Sequence, residues 1–168
     1  MRKGLIIGLG LFASTLPASA QVAEPQALAI TAQNVTARAA ERTDAESGAS
    51  LPGDVIEYQL TFTNHTDGPI AEIVLNDPVP QGLVFEVGSV TASREDVLVE
   101  YSLDGGSSWS DRPTVQVEEA GESVTRPAPP EAYTHVRWTV TGTLNPGAQV
   151  QARFRARVAG GTDPGGEA

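Results

Sequence analysis

The sequence predicts an all-β protein, an antiparallel sandwich of about seven to nine short strands with Greek-key connections. Three observations predict it. Two long segments alternate strictly between apolar and polar residues, which is the period of a strand with one wet face. Turn residues punctuate the chain between such segments. No stretch carries convincing apolar spacing at three and four residues, so helices are not expected.

In chain order, Ala27 to Thr36 is the first candidate strand, with Leu28 and Ile30 on one face. Ala39 to Ser50 is polar, acidic and rich in alanine and serine, and reads as a loop or connection. Leu51-Pro52-Gly53-Asp54 supplies a turn, because proline presets one dihedral and glycine tolerates the next. The strand that follows, 55–64, sets Ile56, Tyr58, Leu60 and Phe62 against Glu57, Gln59, Thr61 and Thr63. After the polar loop 64–69, a short strand is expected over Ile70 to Leu75, broken by the two prolines of Asn76 to Gly82.

Leu83 to Phe85 and Ser89 to Ser93 are short candidates. Val97 to Leu103 is a clearer one, with Val97, Val99 and Tyr101 on one side. Asp104-Gly105-Gly106-Ser107 is a strong turn signal. Thr114 to Val117 is expected as a strand, and Gly121 to Ala132, with Pro127, Pro129 and Pro130, as irregular. Thr134 to Thr143 alternates with Val136, Trp138 and Val140 inward, and Asn145-Pro146-Gly147 turns the chain. In the last strand, Ala148 to Val158, Val150, Ala152, Phe154, Ala156 and Val158 oppose Gln149, Gln151, Arg153, Arg155 and Arg157. Tyr58, Phe62, Trp138 and Phe154 are the expected aromatic core. Residues 159–168 hold no apolar side chain larger than alanine and valine is absent from them, so a disordered tail is expected.

The N-terminus predicts export. Arg2 and Lys3 precede an apolar run, Gly4 to Thr15, that is short for a membrane span, and Ala18-Ser19-Ala20 is a small-x-small cleavage site. Residues 1–20 therefore read as a signal peptide cut after Ala20, with residues 21–50 as an N-terminal strand and acidic linker before a domain over 51–158. Of 168 residues, removal of the leader leaves 148, a size suited to one domain. No cysteine occurs, which excludes a disulfide framework and a cysteine-linked lipid. Loss of Arg2 and Lys3 leaves nine basic residues against 21 acidic ones, a formal net charge of −12. That field repels phosphate backbones, so nucleic acid is not expected as a partner. No membrane span is expected in the mature chain.

Pro52-Gly53-Asp54, Ile56-x-Tyr58-x-Leu60-x-Phe62-x-Asn64 and Asp77-x-Val79-Pro80-x-Gly82-Leu83 resemble the bacterial surface repeat called "domain of unknown function eleven". Tyr101-Ser102-x-Asp104-Gly105-Gly106, Tyr133 to Trp138, Pro146-Gly147 and Phe154 to Val158 are similar to it as well. The resemblance spans roughly residues 51 to 158 in a single copy. It implies an immunoglobulin-like sandwich in an exported, cell-surface or envelope protein, without catalytic residues or cofactor.

Several residues are candidates for chemistry. Ser102-x-Asp104-x-Gly106-x-x-Trp109 fits the spacing of the Asp-box of bacterial sialidases and other secreted proteins, where a short carboxylate ties a hairpin through amide hydrogens. A single copy argues for a structural turn motif, because a propeller needs one per blade. Asp54, Asp77, Asp104 and Asp111 offer oxygen for calcium, but no D-x-D-x-D-G loop is present. His65 and His135 lack metal or nucleophile-elbow spacing, so no enzyme activity, metal or cofactor is expected. Arg153, Arg155 and Arg157 form a basic stripe that either guards a solvated face or docks an acidic partner. With Trp109 and Tyr133, this stripe is the candidate interaction surface.

The expectation is thus a non-enzymatic envelope module that binds a protein or polysaccharide. The alternatives are a carbohydrate- or calcium-binding module, or a fibre subunit whose residues 27–36 add to a neighbour's edge by self-association.

Overall fold

The computed structural model describes residues 27–36 and 50–160. The predicted signal peptide, most of the acidic linker and the tail from residue 161 lie outside the described residues. Ten strands are present: β1 (Leu28–Asn34), β2 (Val55–Thr63), β3 (Ile73–Pro78), β4 (Leu83–Phe85), β5 (Thr91–Ala92), β6 (Val97–Ser102), β7 (Thr114–Glu119), β8 (Glu122–Pro127), β9 (His135–Val140) and β10 (Gln149–Val158). Among the described residues, the helical structure is one 3-10 turn at Pro130–Ala132.

Every pairing is antiparallel. One sheet runs β1-β2-β10-β4, with β5 also on β10; the second runs β3-β9-β6; β7 and β8 form a separate hairpin. The expected alternation of β10 holds: Val150, Ala152, Phe154 and Ala156 are 0–1% exposed. Cross-layer contacts fix which strand lies over which. Trp138 on β9 meets Phe154 on β10 at 6.2 Å between ring centroids, and Tyr101 on β6 meets Phe85 on β4 at 5.6 Å. The order β3-β9-β6 against β2-β10-β4 then sets β3 on the side of β2. Thus β3 lies beneath β2, β9 beneath β10 and β6 beneath β4. Two layers over one apolar interior make a β-sandwich.

The register places Leu28 opposite Phe62, Ile30 opposite Leu60 and Ala32 opposite Tyr58, so these β1 residues share the inward face. Yet Leu28 is 37% and Ile30 51% exposed. The first sheet overhangs the second by one strand.

Three expectations are corrected. The strand expected over 70–75 lies at Ile73–Pro78. The amide of Val79 donates to the carbonyl of Thr134, just ahead of β9, at 2.8 Å, so the neighbouring nitrogen of Pro78 faces the open edge, where no ladder donor is needed. Residues 122–127, expected as irregular, form β8. Ala120 and Gly121 both have positive φ, 53° and 87°, as a tight primed hairpin turn requires, and Val117 pairs with Val124 across it. The prolines stand at the end of that strand and beyond it. Among the described residues the total is ten strands, above the seven to nine expected, because this hairpin adds β8.

Buried polar side chains tie the loops. Asn64 is 1% exposed. Its Nδ2 donates to the carbonyls of Leu144 (2.8 Å) and Gly68 (2.9 Å), and its Oδ1 accepts from the amide (2.9 Å) and hydroxyl (2.7 Å) of Thr66. Asn64→Ala is expected to destabilise the fold by about 1–3 kcal/mol through loss of these four side-chain hydrogen bonds, read as a lower urea midpoint at unchanged slope. Asp54, fully buried, closes the Leu51–Asp54 turn and accepts from Asn34 Nδ2 at 2.8 Å and from the Leu51 amide at 2.9 Å. It thereby anchors the end of β1.

Candidate functional site

The Asp-box spacing is a closed hairpin in three dimensions. Tyr101 and Ser110 exchange backbone hydrogen bonds of 2.8 and 3.0 Å at its base. Inside it, Asp104 Oδ1 accepts from Ser102 Oγ (2.7 Å) and the Ser108 amide (2.8 Å), and Oδ2 accepts from Ser108 Oγ (2.7 Å). Ser102 Oγ accepts in turn from the Gly106 amide at 2.9 Å. Hydrogen bonds from Ser108 first, then from Ser102, hold the Asp104 carboxyl down at about 2. A depressed carboxylate contributes stability above the ordinary range near 4 and loses it as pH falls through about 2. Asp104→Ala is expected to leave the sandwich folded while opening residues 103–109 to cleavage, which limited proteolysis at neutral pH checks.

Trp109 lies under this loop. The Arg137 guanidinium sits 4.2 Å over its ring centroid, and Glu100 Oε2 holds Arg137 at 2.7 and 3.1 Å. His135 meets the indole edge-on at 6.4 Å. One face of Trp109 is therefore occupied by the protein's own cation, an arrangement that fixes the side chain.

Tyr133 is in a different place. It stacks on Phe85 at 4.8 Å and meets Tyr101 edge-on at 5.4 Å. Burial pushes both tyrosine hydroxyls up from their ordinary value, with the neighbouring Tyr133 adding to the effect at Tyr101. The two tyrosines line a groove of about 500 Å³ together with Val87, Gly88, Asp111, Arg112 and the Pro113, Thr114 and Pro127 side chains at the base of the β7–β8 hairpin. Trp109 lines an adjoining hollow of about 220 Å³ that shares Tyr101, Arg112, Pro113 and Thr114 with the groove. Trp109 and Tyr133 thus line two different but adjoining hollows. Sequence reasoning missed Tyr101, Val87 and the base of the hairpin, since the hairpin itself was read as irregular.

The arginine stripe lies along the outer face of β10, with two of its three cations paired. Arg155 binds Glu57 at 2.9 Å, and Arg157 binds Glu86 and the Gly53 carbonyl. Arg153 reaches Gln151 at 3.3 Å. This stripe is part of a mixed-charge face.

The four aspartates serve separate ends. Asp54 closes a turn, Asp77 points into the core, Asp104 ties the hairpin and Asp111 is exposed. Among the described residues, no group of three or more His, Cys, Asp or Glu side chains is placed to hold a metal ion. His65 is exposed in its loop, and His135 Nδ1 lies 3.2 Å from Thr134 Oγ1. No helix among the described residues is long and apolar enough to cross a membrane.

Comparison with known proteins finds no matching family model, curated protein or solved structure. The fold and the chemistry of its side chains therefore define the class: an all-β, antiparallel, two-layer protein.

Proposed function

We propose that this chain is an exported, non-enzymatic sandwich with a structural or interaction role in the bacterial cell envelope or at the cell surface. The observation that carries the reading is where the polar chemistry goes. Asp54, Asn64 and Ser102, all at most 1% exposed, are each committed to tying a loop, while among the described residues the backbone edges of β1 and β3 have no strand partner. Binding then uses strand edges and loops. The resemblance to the bacterial surface repeat supports the same role, and an immunoglobulin-like Greek-key arrangement belongs to this proposal. Connections that cross between layers, β2 to β3, β3 to β4, β5 to β6 and β9 to β10, favour it.

Export is tested by expressing the full chain with a C-terminal tag, fractionating the cells and reading the N-terminus. The expected product begins at Gln21 and is found outside the cytoplasm. A chain that retains residues 1–20 in the cytoplasm overturns the reading.

One observation favours a second reading, a carbohydrate-binding module. The groove lined by Tyr101 and Tyr133 combines aromatic and apolar side chains with Asp111 and Arg112, a pattern suited to sugar rings. Binding on a glycan array, lost with Tyr133→Ala and retained with Arg153→Ala, supports it; a blank array removes it.

A further inference from the structure

The overhang of β1 and the open edge of β3 are two halves of one shape. In the first sheet, β2, β10 and β4 each have a strand of the second sheet beneath them, as the ring contacts of Phe154 with Trp138 and of Phe85 with Tyr101, together with the order β3-β9-β6, require. Among the described residues β1 has none, and its inward Leu28 and Ile30 stay 37% and 51% exposed. The second sheet ends at β3, one strand short on that same side.

Both strands offer free backbone. The amide of Val35 donates to Val55, and that of Thr63 donates to Ala27, so the odd-numbered residues of β1 face β2. The amides of Leu28, Ile30 and Ala32 then face outward. By the same alternation, the Val79 bond to Thr134 leaves the amides of Val74 and Asn76 on the open side of β3.

From this geometry we infer that the partner of this edge is a second copy of the chain, joined as a half-lap. The inference rests on the interaction-module reading above. A two-fold axis parallel to β1 exchanges the layers, so the β1 of each copy slides beneath the β1 of the other. It completes the partner's short sheet by pairing with β3. Leu28 and Ile30 of both copies then face their counterparts and leave water, and both free edges are consumed. Tracing the chain through the layers gives β1 and β3 the same direction, so the new pairing is parallel.

Charge permits this contact. The protein carries a formal net charge of −10, yet residues 26–36 contain no charged side chain, and the only one in β3 is Asp77, which is turned inward and 7% exposed. Two copies therefore meet where neither presents charge. Glu72, with φ of 56°, and Pro78 bound the open edge of β3 and limit the added ladder to the residues between them. The isologous symmetry closes the assembly at two copies and gives no filament.

The test is sedimentation of the chain from Gln21 onward, alone and with Ile30→Glu or Val74→Pro. The first substitution buries a charge only in the dimer. The second removes an amide that has no partner within one copy. The expected result is twice the mass of one chain, reduced to a single chain by either substitution, with an unchanged β-type far-UV spectrum. Since the chain has no cysteine, Ile30→Cys with a short bis-maleimide should also link each copy to its mate. A folded wild-type monomer overturns the inference, as does a dimer that survives either substitution. A folded, exported monomer would leave the envelope reading standing, because that reading is judged by export.

Discussion

Phe154→Ala is expected to lower the unfolding free energy by about 3–5 kcal/mol, the range for removing a buried aromatic ring that the surroundings cannot refill. Phe154 is fully buried. It stacks on Tyr58 at 4.9 Å with ring planes 12° apart, and lies 6.2 Å from both Phe85 and Trp138. One ring thus joins β2, β4, β9 and β10, across both layers. A domain of this size holds about 5–15 kcal/mol in all, so the variant should be near the limit of folding. Arg155→Ala is the control. That side chain points to solvent and pairs with Glu57, an exposed interaction worth about 0–1 kcal/mol. Urea unfolding of the two variants should differ by several kcal/mol. Equal midpoints would remove Phe154 from the centre of the core.

The second large effect concerns Asp77. Its side chain points inward beside Leu75, is 7% exposed, and its Oδ2 has no hydrogen-bond partner. Burial pushes its carboxyl up to about 6. The same charge, after burial itself, raises the Tyr58 hydroxyl. The sign follows from which state holds the proton. Between the ordinary value near 4 and about 6, the unfolded chain has released the proton while the folded chain keeps it. Stability from this group is therefore full below about 4 and is lost as pH rises to 6. Two pK units correspond to about 3 kcal/mol. Asp77→Asn removes the titration. Relative to wild type, its stability should improve by about 3 kcal/mol between pH 4 and pH 7.5, measured by thermal or urea unfolding at both values. Parallel pH profiles for the two proteins would contradict a buried, protonated Asp77.

Asp77 also explains where sequence reading stopped. Ile73, Leu75 and Asp77 are all inward on β3, but an acidic residue beside prolines reads as the end of a strand. Strand β8 was hidden for a related reason. Three prolines nearby suggested irregular chain, and Ala120, which takes a positive φ of 53°, is not a residue that announces a primed turn. By contrast, β2 and β10 were legible because each has one dry and one wet face, and a period of two records that directly. The Asp104 hairpin was legible because the bonds of its Asp104 and Ser102 side chains are local, within four residues along the chain. The pairing of Arg155 with Glu57 spans 98 residues and depends on β2 lying beside β10, so it was visible only once strand order was known. The overhang of β1 is the clearest case. Leu28 and Ile30 were legible as one face of a strand, but whether a layer lies beneath them depends on how many strands the other sheet has.

Residue-resolved amide exchange on the chain from Gln21 onward, diluted until it is monomeric, tests the layered arrangement and its one-strand offset most directly. Strands β2, β9 and β10 are flanked on both sides, so their amides should exchange only through global opening. The amides of Leu28, Ile30, Ala32, Val74 and Asn76 should exchange near the rate of an unfolded chain. If Val74 and Asn76 were as protected as the amides of β9 in that monomer, the edge of β3 would be covered and the account would be wrong.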